Sequence, residues 1–131
     1  MKTKLYNANI DNELYKIAKL LIITNKFSED HQKKIYRVIS ITAEICNTTS
    51  QAIIHDKGRG NLTDARHLCF YFLKNEINIS LESIRSIFLN ITAITNISTA
   101  IKRISNLDPK SRPDIEMINK REQIKIQLKT K

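Results

Sequence analysis

The sequence predicts an all-α fold of about six helices, arranged as a bundle around a helix-turn-helix. The chain has 131 residues but only two glycines and two prolines, which leaves little material for the turns of a β protein. Apolar residues recur at the three- and four-residue spacing of amphipathic helices, without strand-like alternation. At this length we expect one domain.

The first predicted helix spans about residues 11–24, where four apolar residues fall at i, i+3, i+4 and i+7. They are Leu14, Ile17, Ala18 and Leu21. We assign residues 1–29 to an N-terminal extension whose helix packs on the domain. A homodimer or a protein partner bound through the same helix is the alternative.

The next helix is predicted to begin after Ser28, a favourable N-cap residue, and to run to about Cys46. Thr48 and Gln51 have the spacing of a capping box for a short helical turn that ends near Ile54. The inward residues predicted for the longer helix are Ile35, Val38, Ile39, Thr42 and Ile45.

A loop with two glycines, residues 55–60, precedes a long predicted helix from Asn61 or Leu62 to about Glu76. Its apolar face indicates a helix buried against several neighbours. The residues of that face are Leu62, Ala65, Cys69, Phe72 and Leu73, widened by Leu68 and Ile77.

The next segment is predicted to form two helices joined by a turn at residues 89–91. Ser80 is predicted to cap the first of these helices. The second is predicted to begin at Thr92 or Ala93 and to end at Asp108-Pro109, because proline cannot continue a helix. Their predicted inward residues are Leu81, Ile84, Ile87, Phe88, Ile94, Ile97, Ile101 and Ile104.

The last helix is predicted to open at Ser111, with Pro113 early, where its missing N–H is harmless. Ile115 and Ile118 are its predicted anchors. Beyond Arg121 the apolar pattern weakens. We therefore assign residues 30–125 to the helix-turn-helix domain and residues 126–131 to a basic tail.

The chain carries a net charge of +9, with 22 Lys and Arg against 13 Asp and Glu. From Lys57 onward the balance is 14 basic to 7 acidic residues. This asymmetry favours a polyanionic partner. The alternative is a composition bias toward Lys, Asn and Ile that has no functional meaning.

Basic residues flank the start of the long helix. Lys57 and Arg59 are predicted to enter a minor groove of DNA or to hold a phosphate, the alternative being a solvated loop. Arg66 is predicted either to hold a phosphate or to form a structural ion pair with Asp64 or Glu44.

The helix after the turn begins with a polar face formed by Thr92, Thr95, Asn96 and Thr99. Asparagine can pair bidentately with adenine, and threonine can contact thymine methyl groups or phosphates. We predict that this face reads bases. The alternative is that Thr92 caps the helix and the others are merely solvated.

Three further basic residues suit backbone phosphates. Lys102 and Arg103 extend the polar face of the helix after the turn. Arg85 lies on the supporting helix, where a helix-turn-helix crosses the DNA backbone.

These motifs resemble the C-terminal DNA-binding domain (domain IV) of the bacterial replication initiator DnaA, over roughly residues 30–125 with a one-residue insertion near Asn90. The resemblance implies a Trp-repressor-like helix-turn-helix fold and double-stranded DNA as the partner. The matching segments are Ala65-Arg66, Tyr71 with Leu73, Ser80-Leu81-x-x-Ile84-x-x-x-Phe88 and Ala100-Ile101-Lys102-Arg103-Ile104.

The base-reading motif departs from that family. Its Gly-Gly-Arg-Asp-His-Thr-Thr-Val stands opposite residues 89–97, so the base-reading Asp and His become Ala93 and Ile94. The family's minor-groove arginine falls on Gly58, between two basic residues. The resemblance therefore implies DNA binding, but not the DnaA box as the target.

Other classes of function find little support in the sequence. No Gly-x-x-x-x-Gly-Lys-Ser/Thr loop is present, so we expect no nucleotide ligand. No nucleophile–base pair or metal-ligand spacing stands out, so we expect no enzyme activity, cofactor or metal. Cys46 and Cys69 are expected to be buried free thiols. Without a signal peptide or a bilayer-length apolar run, we expect a cytoplasmic protein with no membrane contact.

The resulting hypothesis is a non-enzymatic protein that binds double-stranded DNA, as a small regulator or replication-linked protein of a phage, mobile element or bacterium. The alternative is an interaction or structural protein that kept the DnaA-like scaffold and lost base readout.

Overall fold

The computed structural model describes residues 28–55, 60–88 and 93–130. Within these ranges every regular element is helical, which confirms the all-α prediction. The elements are α1 (Glu29–Ile45), α2 (Ser50–His55), α3 (Asn61–Phe72), a π-helical segment (Leu73–Ile77) that continues α3, α4 (Leu81–Ile87), α5 (Ile94–Ser105) and α6 (Arg112–Lys129). The predicted helix over residues 11–24 lies outside the described residues.

Helix α1 forms as its sequence predicts. The Ser28 side chain accepts a hydrogen bond from the backbone N–H of His31 at 3.2 Å and so caps the helix. The inward residues predicted for this helix are all buried except Ile45, which is partly exposed. The next residue, Cys46, is buried. Since α1 begins at Glu29, the proposed boundary after residue 29 falls inside its first turn.

The cap of α2 lies one residue later than the sequence motif indicated. The Thr49 Oγ1 accepts the backbone N–H of Ala52 at 3.1 Å, so Thr49 rather than Thr48 is the N-cap. Asn47 precedes it with φ 59°, a left-handed conformation that asparagine tolerates well. This turn directs α2 back toward α1 and α3.

Helix α3 is the central element, and it packs against α1, α2 and α5. It is therefore buried around most of its circumference, including Phe70, which the predicted face omitted. The Phe70 ring meets the Phe88 ring edge to face, with centroids 4.9 Å apart. Asn78, with φ 61°, ends the π-helical segment.

Helices α4 and α5 form the predicted two-helix unit. The Ser80 side chain accepts from the backbone N–H of Ser83 at 3.1 Å and caps α4. Residues Ile84, Ile87 and Phe88 of the first helix and Ile97 and Ile104 of the second are fully buried. Helix α5 packs on both α3 and α4, so its orientation is fixed from two sides.

Helix α6 extends further than the sequence suggested. Pro113 lies in its first turn, as predicted, but the helix continues to Lys129, so residues 126–129 of the predicted basic tail are helical. Ile124 is fully buried, and Leu128 packs on the core from α6. The predicted anchor Ile115 is 42% exposed, and Met117 is buried in its place.

Helix α6 packs on α1, and its end is fastened there. The Arg37 guanidinium donates to the Gln127 carbonyl oxygen at 2.7 Å and also to that of Thr130. Gln127 lies in the last turn and Thr130 is the C-cap, where carbonyl groups lack the regular donors of the helix interior. Among the described helices, none combines the length and apolarity required to cross a membrane.

Candidate nucleic-acid interface

The outward face of α5 collects five of the predicted site residues. Its inner face is anchored by Ile97, Ala100 and Ile104, all nearly inaccessible to solvent. Because a helix turns once every 3.6 residues, the remaining positions point away from the bundle. The exposed predicted residues are Thr95, Asn96, Thr99, Lys102 and Arg103. Helix α5 contains no Asp or Glu, so this face is polar to basic along its length.

The start of α5 contains Ala93 and Ile94, which stand opposite the base-reading Asp and His of the DnaA motif. Ala93 is the N-cap, and it provides no side-chain hydrogen bond. Both Ala93 and Ile94 are half-buried, and neither offers a side-chain donor or acceptor. Readout at this end of the helix would therefore fall to Thr95 and Asn96, which are exposed in the first turn of α5.

Arg103 is tied to helix α3 through two side chains. Its Nη1 donates to the Asp64 Oδ1 at 3.0 Å and lies 2.9 Å from the His67 Nδ1. A guanidinium only donates, so the His67 Nδ1 must accept, and the ring is neutral with its proton on Nε2. Burial, followed by the positive charge of Arg103, lowers the pKa of His67 below its ordinary value. We call Arg103, Asp64 and His67 the Arg103 clasp.

The Arg103 clasp was not foreseen from the sequence. Its partners lie 39 and 36 residues from Arg103, so no local spacing links them. Asp64 had been considered as a partner of Arg66. The sequence offered one indication. Helix α3 carries Asp64 in its first turn, whereas α5, which packs on α3, contains no acidic residue.

An open groove of about 350 Å³ runs between α3 and α5 beside the Arg103 clasp. Phe70 and Ala100 contribute apolar surface to it, and polar side chains of both helices line it. Those side chains are Thr63, Arg66, His67, Asn96, Thr99 and Arg103. The groove makes the clasp accessible to a ligand that approaches α5.

Arg66, which was predicted to hold a phosphate or to form an ion pair, lies largely inside the bundle. Only 6% of its surface is exposed. Its Nε donates to the Ile53 carbonyl oxygen at 2.8 Å, and its Nη2 to that of Ala52 at 3.2 Å. These bonds satisfy carbonyls near the end of α2 and hold α2 on α3. Arg66 therefore has a structural role in this fold, and a phosphate contact by it stays a prediction.

Arg85 lies at the surface of α4 with its charge partly compensated. Its Nη2 bonds to the Glu82 Oε2 at 3.1 Å, one helical turn away. Pairs of this kind on an exposed helix are weak and exchange readily. Arg85 therefore remains available as a backbone contact next to α5.

Three predicted contacts, Lys57, Arg59 and Thr92, lie outside the described residues, and their roles stay predictions. The two cysteines are both buried free thiols, as expected. Burial raises the pKa of Cys69 to about 12, so it remains protonated and unreactive near neutral pH.

Comparison with family models, with characterised proteins and with solved structures finds no match to this chain. The resemblance to DnaA domain IV therefore stays a prediction that rests on the motifs described above.

Proposed function

We propose that this chain is a non-enzymatic protein that binds double-stranded DNA, with the outward face of α5 in the major groove. The observation that carries the proposal is the absence of acidic residues from that face, which joins uncharged polar residues at its start to basic residues at its end. A B-DNA major groove admits one α-helix, and phosphates repel carboxylates. The context we propose is regulation or replication in a bacterium, phage or mobile element.

Each exposed residue has a role that matches its chemistry. Asn96 suits bidentate pairing with adenine, and Thr95 and Thr99 suit thymine methyl groups or phosphates. Lys102 and Arg103 suit phosphates, which fix the register of the helix without reading sequence.

The target is proposed to differ from the DnaA box, because Ala93 and Ile94 stand where that family reads bases. With fewer base contacts, the affinity rests mainly on phosphates. If about five to seven phosphates are neutralised, log K falls with log salt at a slope of roughly −4 to −6. A binding titration on random-sequence duplex from low to physiological salt tests this. A slope near zero, or no binding at low salt, rejects the proposal.

A protein-interaction function is the second candidate, and one observation favours it. Ile115 and Ile126 of α6 are 42% and 64% exposed, and they lie three helical turns apart on the same side. An apolar pair of this kind suits a protein surface. Absence of DNA binding, together with self-association that Ile126→Asp abolishes, would favour this candidate over the first.

A further inference from the structure

Arg103 differs from its neighbour Lys102 in being already engaged by an acid. The ion pair with Asp64 is only partly buried, with the two side chains 39% and 30% exposed. Water screens such a pair, so it contributes little net free energy and can be exchanged for another anion at small cost. The groove between α3 and α5 gives that anion access.

A carboxylate and a phosphate make the same demand on a guanidinium. Both accept its N–H donors in a planar, bidentate arrangement, and both bring negative charge. Asp64 and His67 occupy the Nη1 of Arg103. A phosphate that takes the Nη1 donors must therefore approach Asp64 closely, and the two anions repel one another. His67, the third member of the clasp, has its pKa lowered by burial and by the charge of Arg103. The charged group next to the clasp is Arg66, which donates to carbonyls of α2.

We propose that Asp64 competes with DNA for Arg103, so that the free protein withholds one phosphate contact until DNA displaces the carboxylate. This inference rests on the proposed DNA-binding function. Asp64 is then a residue that limits affinity for any duplex, because phosphates carry no sequence. Discrimination between sequences is left to the base contacts at the start of α5.

Asp64→Asn tests the proposal, with Asp30→Asn as the matched control. Each change removes one carboxylate, which raises the net charge of the protein by one, and each leaves a basic side chain without its acidic partner. The partner of Asp30 is Lys34, 3.2 Å away on α1, which contributes no residue to the proposed interface. We expect Asp64→Asn to tighten binding to random duplex by about three- to tenfold, and to steepen the salt slope by up to roughly 0.9. We expect Asp30→Asn to leave both unchanged.

A double variant assigns the gain to Arg103. In an Arg103→Ala background, Asp64→Asn should give no tightening beyond that of the Asp30 control. Asp64→Ser, which also suits a first helical turn, replaces Asp64→Asn if the latter melts early.

The outcomes separate this inference from the function on which it rests. If the parent binds duplex with a strong salt dependence but Asp64→Asn binds no tighter than Asp30→Asn, competition by Asp64 is wrong and DNA binding stands. A gain that survives Arg103→Ala also overturns it. If the parent binds no duplex at low salt, both proposals fall together.

Discussion

Helices α5 and α6 are both basic, yet their surfaces are organised differently. Helix α5 separates an apolar inner face from an outer face without acids. Helix α6 mixes acids, bases and exposed isoleucines around its outer surface, with ion pairs such as Glu116 to Lys120 at 3.5 Å. Basic charge alone therefore does not distinguish the two helices. The distribution of acidic residues distinguishes the two helices.

The two helices are also fastened by different chemistry. The Arg103 clasp links α5 to α3 through a histidine, whose charge depends on pH. Helix α6 is held by Arg37 at its end and by Arg121, whose Nη1 donates to the Ile104 carbonyl oxygen at 2.8 Å. Arginine–carbonyl bonds do not titrate in the physiological range. The attachment of α5 is thus the pH-sensitive one of the two.

The largest effect is expected at the end of α4. Phe88 is 1% exposed and packs edge to face on Phe70. Phe88→Ala should lower the free energy of unfolding by about 3–5 kcal/mol, because it removes a buried ring and leaves a cavity. Chemical denaturation measures this. An unchanged midpoint would mean that Phe88 does not pack on Phe70 as described.

The next prediction tests whether α6 belongs to the core. Ile124→Ala should cost about 2–5 kcal/mol, since this side chain is fully buried. Ile126→Ala, two residues along the same helix, is the matched control and should change stability by less than about 0.5 kcal/mol. Equal and small effects would restore the view that the end of the chain is a tail.

The same contrast explains what the sequence could predict. Helices α4 and α5 were predicted well, because Ser80 is a strong cap and the inward residues from Ile84 to Ile104 keep the helical period. The end of α6 was missed because Ile115 and Ile126 lie outward. They obscure the helical period after Arg121, although Ile124 and Leu128 continue it. Periodicity identifies a buried face only where apolar residues stay on that face.

The candidate site was predicted in part for a related reason. The exposed residues of α5 follow from helical geometry once its inner face is known. Arg66 and Arg103 could not be distinguished by sequence, since both are arginines on amphipathic helices. Their environments depend on contacts with residues that are distant in the chain, the carbonyls of α2 for Arg66 and Asp64 for Arg103.

A smaller effect is expected from base readout on α5. Asn96→Ala should lose roughly 1–3 kcal/mol of binding free energy on a preferred duplex selected from random sequence, and little on random duplex. Ser105→Ala, at an exposed position near the other end of α5, is the control. Equal losses of Asn96→Ala on both duplexes would show that this residue does not read bases.

The smallest effect concerns pH. The folded protein holds the pKa of His67 below 6.5, so its contribution to stability is complete above that pH and is lost as the pH falls below it. The free energy of unfolding, measured with urea, should decrease between pH 7.5 and pH 5.5. The decrease should be smaller for His67→Gln than for the parent protein. An equal decrease in both proteins would contradict a partly buried His67 with a lowered pKa.

The central claim is that the outward face of α5, and not basic charge in general, binds DNA. Its most direct test compares two double variants that remove the same charge, Lys102→Ala with Arg103→Ala on α5 and Lys125→Ala with Lys129→Ala on α6. We expect the α5 pair to weaken binding to random duplex and to flatten the salt slope by roughly 1 to 2, and the α6 pair to leave the slope unchanged. Equal flattening by both pairs would contradict the claim.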